Sequence, residues 1–136
     1  MPCKTILILE DDSMIKEIYE DCIKSAKNRG AARSEVVFIF AQSIHMAVSL
    51  INASGDPDLI VCDHNLVGGD SLQFIKDMRT LKPNIVMIAA SNDEGKRQLQ
   101  LQAGCDVEID GDAKSTAIEK AFWLLDSNRN ERRKRT

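Results

Sequence analysis

The sequence has no cysteine pair at metal-ligand spacing, no long apolar run and no surplus of glycine or proline. Its four cysteines, Cys3, Cys22, Cys62 and Cys105, are far apart, so neither a zinc site nor a disulfide framework is indicated. Apolar stretches such as Val36 to Ala41 are far too short to span a bilayer. The opening residues Met-Pro-Cys-Lys-Thr-Ile lack the long apolar stretch of a signal peptide. A cytoplasmic protein with reduced thiols is therefore expected. With 7 Gly and 3 Pro, collagen-like and linker-like chains are excluded. Internal repeats and low-complexity segments are absent. What remains is a chain of 136 residues, 43% hydrophobic and 29% charged, the profile of one soluble globular domain.

Net charge is -3, from 18 basic and 21 acidic residues, and it is unevenly placed. Arg129, Arg132, Arg133, Lys134 and Arg135 crowd the end against the single Glu131, which leaves the body near -7. The expected division is a domain over 1–127 and a basic tail or linker over 128–136. A body of that charge repels phosphates, which argues against a nucleic-acid partner for the domain.

Short β-rich runs alternate with helical patterns. Lys4 to Leu9 (KTILIL) predicts a strand ending at Glu10-Asp11-Asp12. Ile15, Ile18, Tyr19, Cys22, Ile23 and Ala26 share one helical stripe, which predicts a helix from Ser13 to Arg29, with Ser13 as its cap and Gly30 at its end. Val36 to Ala41 (VVFIFA) predicts a strand buried on both faces. Ile44, Ala47, Val48 and Ile51 predict a second helix capped by Ser43. Asp58 to Cys62 predicts a third strand ending at Asp63, and His64 to Gly69 a loop. Leu72, Ile75 and Met78 face inward on a third helix that Pro83 stops. Asn84 to Ala89 predicts a fourth strand. Asp93 to Ala103, with Leu99 inward, predicts a fourth helix closed by Gly104. Val107 to Ile109 predicts a fifth strand. Lys114 to Ser127, with Ala117, Ile118, Ala121 and Leu125 inward, predicts the last helix. This (βα)5 alternation implies an α/β fold, a doubly wound five-stranded parallel sheet of flavodoxin-like order 2-1-3-4-5.

In that order the ligand crevice lies at the carboxyl ends of the first and third strands. The residues there are Glu10-Asp11-Asp12 and Asp63. Gathered carboxylates repel, and a hard divalent cation relieves them; Mg2+ prefers carboxylate oxygens and water. Asn65 is placed to add its main-chain oxygen. A metal held by one or two carboxylates keeps positions for phosphate oxygens, and a neighbouring carboxylate can then attack phosphorus. The residues alone thus point to Mg2+-assisted phosphorylation of Asp63. Either acidic feature taken singly could do no more than cap a helix or end a strand.

Across these motifs the sequence resembles a response-regulator receiver domain of two-component signalling. The resemblance is carried by ILILEDD (Ile6 to Asp12), PDLIVCDHNLVGGDSL (Pro57 to Leu72), IVMIAASND (Ile85 to Asp93) and AGCD (Ala103 to Asp106), and it extends up to the basic tail. It implies Glu10 and Asp11 as the acidic pair, Asp11 being the more direct metal ligand, with Asp63 as phosphoacceptor and Asn65 as main-chain metal ligand. It implies Asp12 as a helix-start residue, and Mg2+ as cofactor. Its expected partners are a sensor histidine kinase or histidine phosphotransfer protein and a downstream protein. It also admits a homodimer through the fourth or fifth helix region. The activity implied is Mg2+-dependent self-phosphorylation from a phosphohistidine donor with slow autodephosphorylation, rather than turnover of a conventional enzyme.

Three positions depart from the family. Ala89 stands where the family has Ser or Thr at the end of the fourth strand. Gly111 stands where it has Lys, and Glu108 where it has an aromatic switch residue. Val67 replaces a common proline, a smaller change. Ser91 and Lys114 are the candidates to substitute for the missing hydroxyl and amine. Other residues take plainer roles: His64 points away from Asp63 by strand alternation, His45 is a surface residue, Cys62 is sheet core, and Phe122 and Trp123 pack the last helix. Trp123, if exposed, would instead mark a partner or dimer face. The departures leave a second function open, a phosphorylation-independent pseudo-receiver acting as a protein-interaction module. A more distant reading is a small Mg2+-dependent phosphatase, which usually wants a carboxylate where Asn65 stands.

Overall fold

A computed structural model describes residues 3–30, 35–63, 65–66, 69–109 and 114–126. The elements follow one another as β1 (Lys4–Leu9), α1 (Ser13–Asn28), β2 (Val36–Ala41), α2 (Ile44–Ser54), β3 (Leu59–Cys62), β4 (Asn65–Leu66), β5 (Gly69–Asp70), α3 (Leu72–Leu81), β6 (Val86–Ala89), α4 (Glu94–Ala103), β7 (Val107–Glu108) and α5 (Lys114–Asp126). Five strands form one parallel sheet in the order β2-β1-β3-β6-β7. This is the expected doubly wound arrangement, with β1 and β3 side by side at its centre. Inside the segment 64–69, expected as a loop, β4 and β5 add a short antiparallel ladder pairing Asn65 with Asp70 and Leu66 with Gly69.

Period-two alternation divides the sheet between two cores. Ile6 and Ile8 of β1, Leu59 and Val61 of β3, and Val86 and Ile88 of β6 pack with Tyr19 and Ile23 of α1 and with Ile118 and Phe122 of α5. Leu7 and Leu9, Ile60 and Cys62, and Met87 and Ala89 pack with α2, α3 and α4 through Ala47, Ile75 and Ala103. β3, β6 and the β1 stretch from Ile6 to Leu9 are therefore apolar at every position, which is why their sequences read as continuous runs.

Several expectations are corrected. Asp12, not Ser13, caps α1: its Oδ1 accepts the Met14 N–H at 2.9 Å. A carboxylate there meets both the orphan amide and the positive end of the helix dipole. Ser43 caps α2 as expected, accepting from the Met46 N–H at 3.0 Å. Ile18, Val48 and Leu99 belong to the predicted inner stripes but are 45%, 40% and 46% exposed. On α4 the inward residues are Gln100 and Ala103 instead. Phe122 is buried as expected, but Trp123 is 50% exposed, with the Lys120 ammonium 4.8 Å from its ring centroid. His64, Gly111 and the basic tail over 128–136 lie outside the described residues. Among the described residues, no helix is long and apolar enough to cross a membrane.

Candidate functional site

Parallel strands end together, so the residues just past β1 and β3 meet at one rim of the sheet. Register fixes this: Leu9 of β1 lies opposite Cys62 of β3, and Cys62 opposite Ala89 of β6. Glu10 follows Leu9 and Asp63 follows Cys62. Glu10 is held in by its own backbone, whose N–H donates to the Ala41 carbonyl at 2.9 Å. By alternation Glu10 falls in phase with Ile8 and Asp63 with Val61, on the face covered by α1 and α5.

There Glu10, Asp11 and Asp63 each place a carboxylate oxygen within 4.8 Å of the others. Glu10 is buried at 5% exposure, Asp63 is half-buried and Asp11 is exposed. The three thus form a bowl with a dry floor and a wet rim. Burial pushes the Glu10 carboxyl up to about 7, with the charge of Asp63 acting in the same direction. The Asp12 N–H, 3.3 Å from Glu10 Oε2, and the Lys114 ammonium act against the rise. Oxygen donors of this kind, with one open side, fit a hard divalent cation such as Mg2+, which takes few protein carboxylates and keeps other positions for water or phosphate. Asn65 lies two residues beyond Asp63 in β4.

Lys114 opens α5 and lies over Tyr19: its Nζ stands 5.2 Å from the centroid of the Tyr19 ring. Tyr19 is fully buried, and burial together with the Glu10 and Asp63 charges drives its phenol well above the usual range. One ring therefore separates the ammonium from the core while the same neighbourhood holds the carboxylates.

Ala89 and Ala90 are both buried, so neither face of the β6 end offers a hydroxyl. Ser91 supplies the first one. It is buried, and its Oγ accepts the Asp93 N–H at 3.2 Å. Glu108, opposite Ala89, is tied sideways to α4: Arg97 Nε lies 3.4 Å from one of its oxygens and Gln98 Nε2 donates to the other at 2.9 Å. Arg97 Nη1 also donates to the Ser91 carbonyl at 2.8 Å.

One participant was not found by sequence reasoning. Gln100 is completely buried and donates its side-chain amide to the Cys62 carbonyl at 3.0 Å and to Ser71 Oγ at 3.2 Å. A glutamine on a helix ordinarily reads as surface, and no local pattern marks this one.

No family model matches the chain. Among curated proteins it is 33% identical over 107 residues to the phosphate regulon transcriptional regulatory protein PhoB of Escherichia coli, covering 76% of this chain and 43% of that protein. It is 28% identical over 102 residues to the KDP operon transcriptional regulatory protein KdpE of the same organism, covering 74% and 41%. Among solved structures it overlays a CheY-like response regulator receiver domain protein from Methanospirillum hungatei with a TM-score of 0.72 at 20% identity, over 96% of this chain and 99% of that one. The fold is that of response-regulator receiver domains, and the curated proteins the chain resembles are response regulators. The chain spans less than half the length of the curated relatives it matches. Its rim brings Glu10, Asp11 and Asp63 together, and Ala89 and Glu108 lie at the ends of β6 and β7.

Proposed function

We propose that this receiver accepts a phosphoryl group on Asp63 from a phosphohistidine donor, with Mg2+ held by Glu10, Asp11, Asp63 and the main-chain oxygen of Asn65. The observation that carries the reading is the convergence of three carboxylate oxygens within 4.8 Å at the switch point of a doubly wound sheet. The cation would neutralise the carboxylates and the phosphoryl oxygens that gather there. An Asp63 oxygen attacks phosphorus, the phosphorus–nitrogen bond to the donor breaks, and the departing imidazole keeps the electron pair and takes a proton. Glu10, whose carboxyl burial raises to about 7, would have to be deprotonated to hold the cation. Lys114 is the cationic side chain that would meet the phosphoryl oxygens, and Ser91 the nearest hydroxyl on the β6 side. The donor is a sensor histidine kinase or a histidine phosphotransfer protein, the effect passes to a downstream protein, and the setting is cytoplasmic. The exposed Trp123 of α5 is the surface on which such a partner or a second copy would bear.

The test is incubation with acetyl phosphate, with and without Mg2+, followed by intact mass, with Asp63→Asn as control. The expected result is a Mg2+-dependent gain of one phosphoryl group that the variant loses. No gain, either here or with a phosphohistidine protein donor, refutes the proposal and leaves a phosphorylation-independent interaction module.

A further inference from the structure

The Cys62 carbonyl belongs to the peptide whose nitrogen is that of Asp63, so whatever holds this carbonyl sets the plane from which the Asp63 side chain departs. Two donors hold it. The Ala90 N–H of the neighbouring strand end donates at 2.9 Å, and Gln100 Nε2 of α4 donates at 3.0 Å. The same Gln100 amide reaches Ser71 Oγ, at the start of α3, at 3.2 Å. Ser71 itself is fully buried, and its side chain makes no capping bond to α3. Further along α4, the Gln100 carbonyl accepts from the Gly104 and Cys105 N–H groups at 3.2 and 3.1 Å, so backbone and side chain are both anchored. One buried amide thus joins the end of β3, the start of α3 and the body of α4.

The other end of that amide is unpaired. Gln100 Oε1 is the one buried side-chain oxygen or nitrogen among the described residues without a hydrogen-bond partner. An orphaned buried acceptor is costly, and an apolar residue of the same shape would avoid the cost. Retaining an amide here is intelligible if its donor end is needed at Cys62.

We infer that Gln100 is a positioning residue that fixes the Cys62–Asp63 peptide and couples the state of Asp63 to helix α4. The inference rests on the proposed role of Asp63. When charge or a ligand at Asp63 shifts this peptide, the Gln100–Cys62 hydrogen bond carries the shift to α4, and the bond to Ser71 Oγ carries it on to the start of α3.

The experiment compares the full chain, Gln100→Met and Asp63→Asn. Met keeps length and flexibility while removing both the donor and the orphaned acceptor. The urea midpoint of Gln100→Met is expected to stay close to that of the parent. Its initial rate of phosphoryl uptake from acetyl phosphate with Mg2+ should fall about three- to tenfold, the loss of one neutral hydrogen bond. In the parent, the Gln100 side-chain amide resonances should move on titration with Mg2+ alone, with the midpoint of the site itself. Amide exchange in α4 should respond to beryllium fluoride in the parent and stop responding in Gln100→Met. Parental uptake together with a parental α4 response in Gln100→Met would overturn the inference, with the Asp63 reading intact. Should Gln100→Met not fold, the parent's Gln100 resonances decide: no movement with Mg2+ overturns it. Should the parent take up no phosphoryl group, the Asp63 reading fails, and the Mg2+ titration of Gln100 still judges the coupling.

Discussion

Replacing Glu10 by Gln removes a charge that folding has to bury. In the unfolded chain this carboxyl titrates near its ordinary value of 4.5, and in the folded domain at about 7, chiefly through burial and then through Asp63. The folded state therefore binds the proton more tightly. Below 4.5 both states are protonated and Glu10 contributes no pH dependence. Between 4.5 and 7 the unfolded chain ionises first, and stability falls as pH rises. Above 7 the loss is complete. A shift of this size corresponds to about 3 kcal/mol. Gln is close in shape to the protonated acid and keeps an oxygen for the Asp12 N–H. In EDTA at pH 8, Glu10→Gln should therefore be more stable than the parent by up to about 3 kcal/mol, a urea midpoint higher by roughly 1–3 M. The gap should close as pH falls to 4.5. Mg2+ should reverse the order at pH 8, because it stabilises the parent by mass action and finds one carboxylate fewer in the variant. Urea curves at pH 4.5, 6 and 8, with and without Mg2+, measure all of this. A variant no more stable than the parent at pH 8 in EDTA, or a gap that persists at pH 4.5, would refute the account of Glu10.

Three further outcomes are expected. Lys114→Gln should slow phosphoryl uptake about ten- to hundredfold, the worth of a charge-assisted hydrogen bond, while Mg2+ still binds; an unchanged initial rate would remove Lys114 from the site. Asp106→Ala should cost about 1–2 kcal/mol in urea unfolding, because Asp106 Oδ2 accepts from both Arg79 Nη2 at 2.7 Å and the Met87 N–H at 2.8 Å, holding α3 against the sheet. Glu108→Gln should cost up to about 1 kcal/mol, since the carboxylate that pairs with Arg97 at 3.4 Å is itself part-exposed and screened by solvent. A neutral result there would show that the pair with Glu108 does not hold α4.

The parts of the fold that depend on period and punctuation were legible in the sequence. β1 and β3 are apolar runs that stop at carboxylates, and their adjacency follows from the alternation of strands and helices, so the meeting of Glu10, Asp11 and Asp63 could be foreseen. The phase of α4 could not. Its apolar residues, Leu99, Leu101 and Ala103, alternate with glutamines and define no helical stripe. Leu99 was the natural choice for the core, yet the helix is rolled by one residue, which brings Gln100 under β3. The energy that decides this is a pair of hydrogen bonds to Cys62 and Ser71, and sequence periodicity records only apolar burial. Trp123 shows the same limit. It lies one residue, about 100° of helix, beyond buried Phe122, and its size suggested packing while its phase places it outside.

The departures from the family fall on one side of the site. β1 and β3 carry the complete acidic set, whereas β6 and β7 carry Ala89, Ala90 and Glu108. On the proposed function, the carboxylates that would hold a cation lie on β1 and β3, and the changed positions lie where a phosphoryl group would be met. With no aromatic ring at Glu108, a ring swinging at that position cannot report on Asp63. The carboxylate is instead bonded to Arg97 and Gln98, and Arg97 also holds the Ser91 carbonyl. Movement at Asp63 then has two polar routes into α4. One tie to α4 runs from buried Ser91 to Arg97, the other from Cys62 to Gln100 in the core. Both end within one turn of the same helix, so α4 would move as a unit or not at all. The routes differ in what opposes motion. The Arg97 route is a charged clamp that a change at Asp63 has to work against, while Gln100 is held by two neutral bonds and leaves its own oxygen unpaired. The core route is the weaker restraint, and on this reasoning it is the one through which the acidic site reaches the surface of the domain.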